Sequence, residues 1–138
     1  MKVVIDTNIA LDVLLNRTEF LQDSYNILKL SAQNEVASFL TTNTITNIFY
    51  VLRKNGGDAL KSKFAITQLI KLVTLETIVP RDISLALTSN ISDLEDAIIC
   101  FAAERIKANY IITRNVKDFC ESPIPAITPA EFLDMLDN

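Results

Sequence analysis

Short apolar segments that alternate with helical ones constrain the fold of this chain more than any other feature. Val3–Ile5 is apolar without polar alternation, a pattern typical of a parallel strand buried on both faces. Further strands are predicted at Val36–Leu40, Leu75–Val79, Tyr110–Thr113 and, at an edge, Ala126–Ile127. Strands alternating with helices predict an α/β fold with a central, mainly parallel sheet covered on both faces.

Apolar residues at helical spacing predict the intervening helices. The predicted segments are Asn8–Leu15, Phe20–Gln33, Ile45–Leu52, Ala59–Leu72, Ile83–Ser89, Leu94–Lys107 and a last helix capped by Thr128-Pro129. In the fourth of these, Phe64, Leu69 and Leu72 are expected to point inward. The helix that begins at Leu94 is apolar on nearly all sides, so it is expected to be central, with Asp93 as its cap.

Composition narrows the class of protein. A chain of 138 residues with 49% hydrophobic residues is most simply a single domain, 1–138. The formal charge of −4 argues against an overall basic nucleic-acid-binding surface. No apolar run reaches the roughly 18 residues of a membrane span. Two cysteines make neither a disulfide framework nor a zinc spacing, so a reducing cytoplasm is the expected location.

The candidate chemistry is carried by carboxylates, because the chain contains no histidine. Asp6 follows the first strand, Asn115 and Asp118 follow the strand at Tyr110–Thr113, and Asp96 lies near the start of the apolar helix. The carboxyl ends of parallel strands share one edge, where ligands bind in open α/β sheets. Clustered carboxylates there are suited to a hard cation such as Mg²⁺ or Mn²⁺.

Each acid also has a structural interpretation. Asp6 and Asp118 are typical turn or cap residues, and Asp93 is a typical N-cap. Glu95 is displaced by about 100° from Asp96 around the helix, so it is expected to be solvated. The joint occurrence at several strand and helix ends supports a site more strongly than any single member does.

Three segments together resemble the PIN-domain ribonucleases, and most closely the bacterial toxins of the VapC type. They are Val4-Ile5-Asp6-Thr7-Asn8, Asp93-Leu94-Glu95-Asp96-Ala97 and Ile112-Thr113-Arg114-Asn115-Val116-Lys117-Asp118-Phe119. The resemblance extends to the closing Thr128–Leu133. It implies a three-layer α/β/α fold, an Mg²⁺- or Mn²⁺-dependent site, RNA cleavage and frequent dimerisation.

The resemblance also assigns residues. Asp6 and Asp96 match acidic positions of the family, and a further position falls at Asn115 or Asp118. In this assignment Asp6, Asp96 and Asp118 hold the cation, and the small polar position beside the first acid is Thr7 or Asn8, as a contact to substrate.

One position departs from the family pattern. The resemblance places Asn47 where the family usually has a glutamate, so one negative charge is missing. Asn47 and Asn115 are then expected to orient water or substrate phosphate. Glu95 and Asp93 both remain candidates for supplying the missing charge.

The leading hypothesis is therefore a cytoplasmic metal-dependent endoribonuclease, the toxin of a toxin–antitoxin pair, with RNA as substrate, an antitoxin as partner and a homodimer as assembly. Arg114, Arg53 or Lys117 are the candidate contacts to RNA phosphates, each of which is otherwise a surface charge. The alternative is a PIN-like domain with weakened catalysis that acts as a binding or dimerisation module. A small-molecule phosphatase is disfavoured because the chain offers no dedicated second domain.

Overall fold

A five-stranded, fully parallel sheet forms the centre of the computed structural model, which describes all residues from Met1 to Asn138. The strands are β1 (Lys2–Ile5), β2 (Ala37–Thr41), β3 (Thr74–Glu76), β4 (Tyr110–Ile112) and β5 (Ala126–Ile127). Their order is β3-β2-β1-β4-β5, and every neighbouring pair is parallel. The predicted sheet is thus confirmed and contains no antiparallel strand.

α-Helices connect the first four strands of the chain, whereas β4 reaches β5 through a loop with one 3₁₀ turn, and the last helix follows β5. The helices are α1 (Thr7–Leu14), α2 (Leu21–Ala32), α3 (Ile45–Lys54), α4 (Ala59–Leu69), α5 (Pro80–Thr88), α6 (Leu94–Arg105) and α7 (Pro129–Asp137). Short 3₁₀ turns precede α3 at Thr42–Thr44 and follow β4 at Val116–Phe119. None of the helices is long and apolar enough to cross a membrane.

The sheet separates two apolar cores because successive strand side chains point to opposite faces. Val3 and Ile5 pack into a core of 15 buried residues with side chains of α1, α2, α3, α4 and α7. Val4 packs into a second core of 11 residues, formed largely by α6 and including Ala86 of α5. The three-layer α/β/α architecture is therefore confirmed. The completely buried Cys100 lies in the second core, as a small apolar residue would.

The strand order changes direction at β1, because the later strands are added on the side of β1 opposite to the earlier ones. The chain passes outward from β1 through β2 to β3 and then returns to β4, on the other side of β1. Such a switch in strand order leaves a crevice beyond the carboxyl ends of the two strands concerned. Residues that directly follow β1 and β4 therefore share that crevice.

Two predicted helix starts are confirmed by their cap geometry. The Asp93 carboxylate accepts the backbone N–H of Asp96 at 2.9 Å and caps α6. Thr128 and Glu131 form a reciprocal capping box at the start of α7, with Pro129 as the first helical residue.

The prediction for α4 is wrong in its end and in its inward face. The helix ends at Leu69, three residues before Leu72, and Phe64 is 65% exposed. Ser62 and Leu69 are its buried residues, and Ala65 and Ile66 pack against the first core. These positions follow helical spacing and place Phe64 on the opposite side. The burial of Leu69 was predicted correctly.

Candidate functional site

The residue that follows β1 is a buried carboxylate. Asp6 is only 5% exposed, and its two oxygens accept the Thr113 hydroxyl at 2.9 Å and the Thr7 backbone N–H at 2.7 Å. Thr113 follows β4, so the pairing of β1 with β4 brings the two side chains together. Asp6 is also the N-cap of α1, so the structural interpretation of this residue is confirmed.

Further carboxylates enter from the first turn of α6. Glu95 and Asp96 both lie there, and both are half-buried. The expectation that Glu95 is solvated is wrong. Its Oε1 accepts the Thr7 hydroxyl at 3.0 Å, and its Oε2 accepts the Asn47 amide N–H at 3.2 Å. The side chain of Glu95 thus reaches from α6 to both α1 and α3.

The remaining residues come from the 3₁₀ turn after β4. Asn115 and Asp118 are exposed, and both line the same cleft as Asp6. The Asn115 backbone N–H donates to the Thr113 hydroxyl at 3.0 Å, which ties this turn to the end of β4.

A cleft of about 280 Å³ gathers nearly all of the residues proposed from the sequence. Its lining contains Asp6, Thr7, Asn8, Asn47, Asp93, Glu95, Asp96, Asn115 and Asp118, together with Leu11, Arg17 and Val51. Of the proposed residues, Arg114, Arg53 and Lys117 are absent from this lining. The cleft is predominantly acidic.

The environment of the cleft raises the pKa of two of its carboxylates, Asp96 and Asp6. Burial is the main cause that raises the pKa of Asp96 to about 7, and the negative charges of Asp6, Asp93, Asp118 and Glu95 raise it further. The pKa of Asp6 is also raised, first by burial and then by Glu95, although the hydrogen bonds from Thr113 and Thr7 oppose the shift. Without a cation, the cleft therefore favours partial protonation.

The donor set of the cleft suits a hard divalent cation. Every candidate ligand is a carboxylate, amide or hydroxyl oxygen, the donors preferred by Mg²⁺ and Mn²⁺. No three acidic side chains are arranged to hold an ion together directly. An ion in this cleft would therefore be held directly by at most two of these acids and otherwise through water, a mode of coordination that Mg²⁺ accepts.

Arg114 points to a different region. Its Nε donates to Asp12 at 2.9 Å, and its guanidinium stacks 3.8 Å from the centre of the Phe20 ring. Arg53 lies 5.9 Å from the centre of the Phe49 ring, and Lys117 is exposed outside the cleft lining. None of the three cations considered from the sequence lines the acidic cleft.

The cation that does line the cleft is Arg17, which the sequence interpretation missed. Its guanidinium lies 3.5 Å from the Asn8 side-chain oxygen and 3.4 Å from Asp12. Asn16 adopts a left-handed backbone with φ of 54°, and the Arg17 N–H then bonds the carbonyl of Asp12 at 2.9 Å. Asn16, directly after the predicted helix, was the sequence feature that could have indicated this turn, because Asn tolerates the left-handed conformation.

Comparison with known proteins supports one family. The family model of the PIN domain matches residues 2–117. A comparison with curated proteins gives no match.

Solved structures share the fold over almost their whole length. VapBC2 from Rickettsia felis, bound to a DNA fragment from its promoter, is 16% identical with a TM-score of 0.73, and the match covers 93% of this chain and 98% of that one. A toxin–antitoxin complex from Klebsiella pneumoniae is 23% identical with a TM-score of 0.67, covering 92% and 97%. DNA-bound VapBC from Salmonella typhimurium is 13% identical with a TM-score of 0.70, covering 94% and 98%. At these identities the likeness establishes the fold.

Proposed function

This chain belongs to the PIN-domain family, and from that premise we propose that it is a metal-dependent endoribonuclease, the toxin of a toxin–antitoxin pair. The observation that carries the proposal is the convergence of Asp6, Asp96 and Asp118 on one cleft at the carboxyl edge of the sheet. Burial, together with the repulsion between neighbouring acids, disfavours the ionised form of Asp96, which supports a cation-binding role of the cleft over a purely structural one.

In this proposal Asp6, Asp96 and Asp118 hold Mg²⁺ or Mn²⁺, directly or through water. The chemistry that such an ion supplies is polarisation of the scissile phosphate and acidification of a water molecule, which replaces the missing histidine base. Asp6 is held rigidly by Thr113 and Thr7, so its carboxylate is preorganised for this task.

Other lining residues are suited to substrate. Asn8 and the exposed Asn115 offer amide groups to phosphate or water, and Arg17 offers a positive charge at the edge of the acidic cleft. Only two of the lining residues, Leu11 and Val51, are apolar. Such a polar surface disfavours an apolar small molecule. Recognition of an RNA phosphate by this acidic lining would depend on the bound cation, with Arg17 adding one positive charge at the edge.

A protein partner is the second part of the proposal. Large apolar side chains are exposed on the neighbouring helices α3 and α4, where Tyr50, Leu60 and Phe64 are 62%, 80% and 65% exposed. Exposed apolar surface of this kind supports burial against another chain. We assign it to an antitoxin or to a second copy in a homodimer, acting in the cytoplasm where RNA is available.

The test is cleavage of RNA by purified protein with Mn²⁺, with Mg²⁺ and with EDTA. We expect cleavage that requires the metal and disappears in Asp6→Asn. Expression of the wild type, but not of this variant, should arrest bacterial growth. If the pure protein binds partner chains but leaves RNA intact with every metal, the binding-module alternative replaces the nuclease.

A further inference from the structure

The Glu95 side chain is held in an unusual place for an acid in the first turn of a helix. Such a residue already interacts favourably with the helix dipole when it points into water. Here it is half-buried, and its charge raises the pKa of both Asp6 and Asp96. Ordering a glutamate side chain costs conformational entropy, and placing it beside like charges adds a repulsive cost.

Two neutral donors hold this carboxylate in place. Thr7 donates to Oε1 and Asn47 donates to Oε2, so each oxygen receives one hydrogen bond. A carboxylate oxygen has room for about two partners, so each keeps capacity for a ligand in the cleft. Because neither donor carries a positive charge, the negative charge of Glu95 is oriented without being neutralised.

From this arrangement we propose that Asn47 and Glu95 act as one unit, in which Glu95 is a ligand of the divalent cation and Asn47 is the positioning residue that aims it. The inference rests on the proposed function and deepens it. A carboxylate at position 47 would repel Glu95, whereas the amide of Asn47 donates a hydrogen bond to the Glu95 carboxylate. In this proposal the carboxylate that is missing at position 47 is supplied by Glu95 from α6.

The unit can be inverted without changing its shape. Asn47→Asp and Glu95→Gln are isosteric, and together they exchange the amide and the carboxylate across the same hydrogen bond. The introduced glutamine can still accept the Thr7 hydroxyl through its carbonyl oxygen, and its amide N–H can donate to the introduced carboxylate at position 47. The matched control is Asp93→Asn, which removes a negative charge from the same cleft lining but keeps a good N-cap for α6.

The experiment is calorimetric titration of Mn²⁺ into these metal-free variants, with circular dichroism to verify folding. We expect Glu95→Gln and Asn47→Ala each to weaken Mn²⁺ binding about tenfold, as loss of a ligand or of its outer partner does at metal sites. Asn47→Asp combined with Glu95→Gln should recover most of that loss. Asp93→Asn should change affinity by less than about threefold, because it removes charge without removing a ligand.

The outcomes separate this inference from the proposed function. Wild-type affinity in Glu95→Gln, an equal loss in Asp93→Asn, or no recovery in the inverted pair would overturn the inference. If the inverted pair does not fold, the two single substitutions decide in the same way. Mn²⁺ binding that is unaffected by Asp6→Asn would overturn the proposed site alone, and a wild type that binds no Mn²⁺ would overturn both.

Discussion

Asp6 and Asp12 belong to the same strand–helix unit, and both carboxylates are almost completely buried, with 5% and 0% of the residue exposed. Asp12 accepts Arg114 at 2.9 Å, Arg17 at 3.4 Å and the Ser24 hydroxyl at 2.9 Å. Asp6 accepts only uncharged donors: Glu95 raises its pKa and the charge of Arg114 lowers it, but no cation is bonded to its carboxylate. Two acids at similar depth therefore differ in whether the protein itself neutralises them.

Asp82 on the opposite side of the sheet follows the pattern of Asp12. It is 1% exposed, it receives the guanidinium of Arg105 at 3.0 Å, and it caps α5 through the N–H of Val79. Burial of a charge is tolerated when it is paired and hydrogen-bonded. The comparison teaches that the unneutralised carboxylates, and not the buried ones as such, indicate the site where a cation is expected.

The largest effect is expected when Asp6 loses its charge. Asp6→Asn should reduce RNA cleavage about 1,000-fold, equivalent to about 4 kcal/mol of transition-state stabilisation. The free energy of unfolding of the metal-free protein should hold or rise, because the variant retains an N-cap and relieves repulsion. Cleavage assays with Mn²⁺ and urea unfolding measure the two effects. Equal cleavage by both proteins would place the activity elsewhere or in a contaminant.

The same substitution at Asp12 should have the opposite profile. Asp12→Asn leaves Arg17 and Arg114 without their common charged partner. We expect the free energy of unfolding to fall by about 2–3 kcal/mol. This is less than for a fully buried pair, because both arginines are partly exposed. Urea unfolding of Asp6→Asn and Asp12→Asn in parallel makes the comparison. A neutral effect at Asp12 would show that pairing with arginine does not distinguish the two regions.

A smaller, pH-dependent effect is expected at Asp96. Its pKa in the folded protein is raised to about 7 from 3.8, so the folded state holds the proton more tightly than the unfolded chain. The stability of the metal-free protein should therefore fall as pH rises from about 4 to 7, and Asp96→Asn should flatten this slope. Relative to the wild type, Asp96→Asn should gain about 1–2 kcal/mol more in the free energy of unfolding at pH 8 than at pH 4. This value is discounted for the partial exposure of Asp96.

Thermal unfolding across this pH range, in EDTA, checks the Asp96 prediction. Glu104→Gln is the matched control because Glu104 is an exposed acid on the same helix. Parallel pH curves for wild type and Asp96→Asn would refute the raised pKa. Saturating Mn²⁺ should stabilise the wild type more at pH 8 than at pH 5, since metal and proton compete for the same carboxylate.

The smallest effect concerns the two arginines that share Asp12. Arg17→Ala should weaken RNA binding several-fold with little loss of stability, as expected for one partly exposed phosphate contact. Arg114→Ala should mainly lower stability, because it loses both the bond to Asp12 and the stack on Phe20. Fluorescence-anisotropy titration of RNA measures the difference, with both arginine substitutions made in the Asp6→Asn protein so that the RNA is not cleaved during the measurement. An equal loss of RNA binding in both would assign Arg114 to the substrate surface.

Much of the architecture could be predicted from local chemistry. The apolar run of Val3–Ile5 indicated a doubly covered strand, and the all-round apolar character of α6 indicated a central helix, because burial on several sides requires it. Asp93 and Thr128 marked helix starts because a cap acts within three residues of its own position. The face of α4 was misjudged, because a weakly amphipathic helix has no local feature that decides which side is packed.

The sequence alone determined that Asp6, Asp96 and Asp118 would share one edge, since parallel strands end together and each acid follows a strand or begins a helix. Only the tertiary structure decided which groups hold or neutralise the acids. The bonds from Thr7 and Asn47 to Glu95 span 88 and 48 residues, and the bond from Arg114 to Asp12 spans 102. The direction of a long side chain depends on partners from distant segments, and those partners are brought together only when the layers pack.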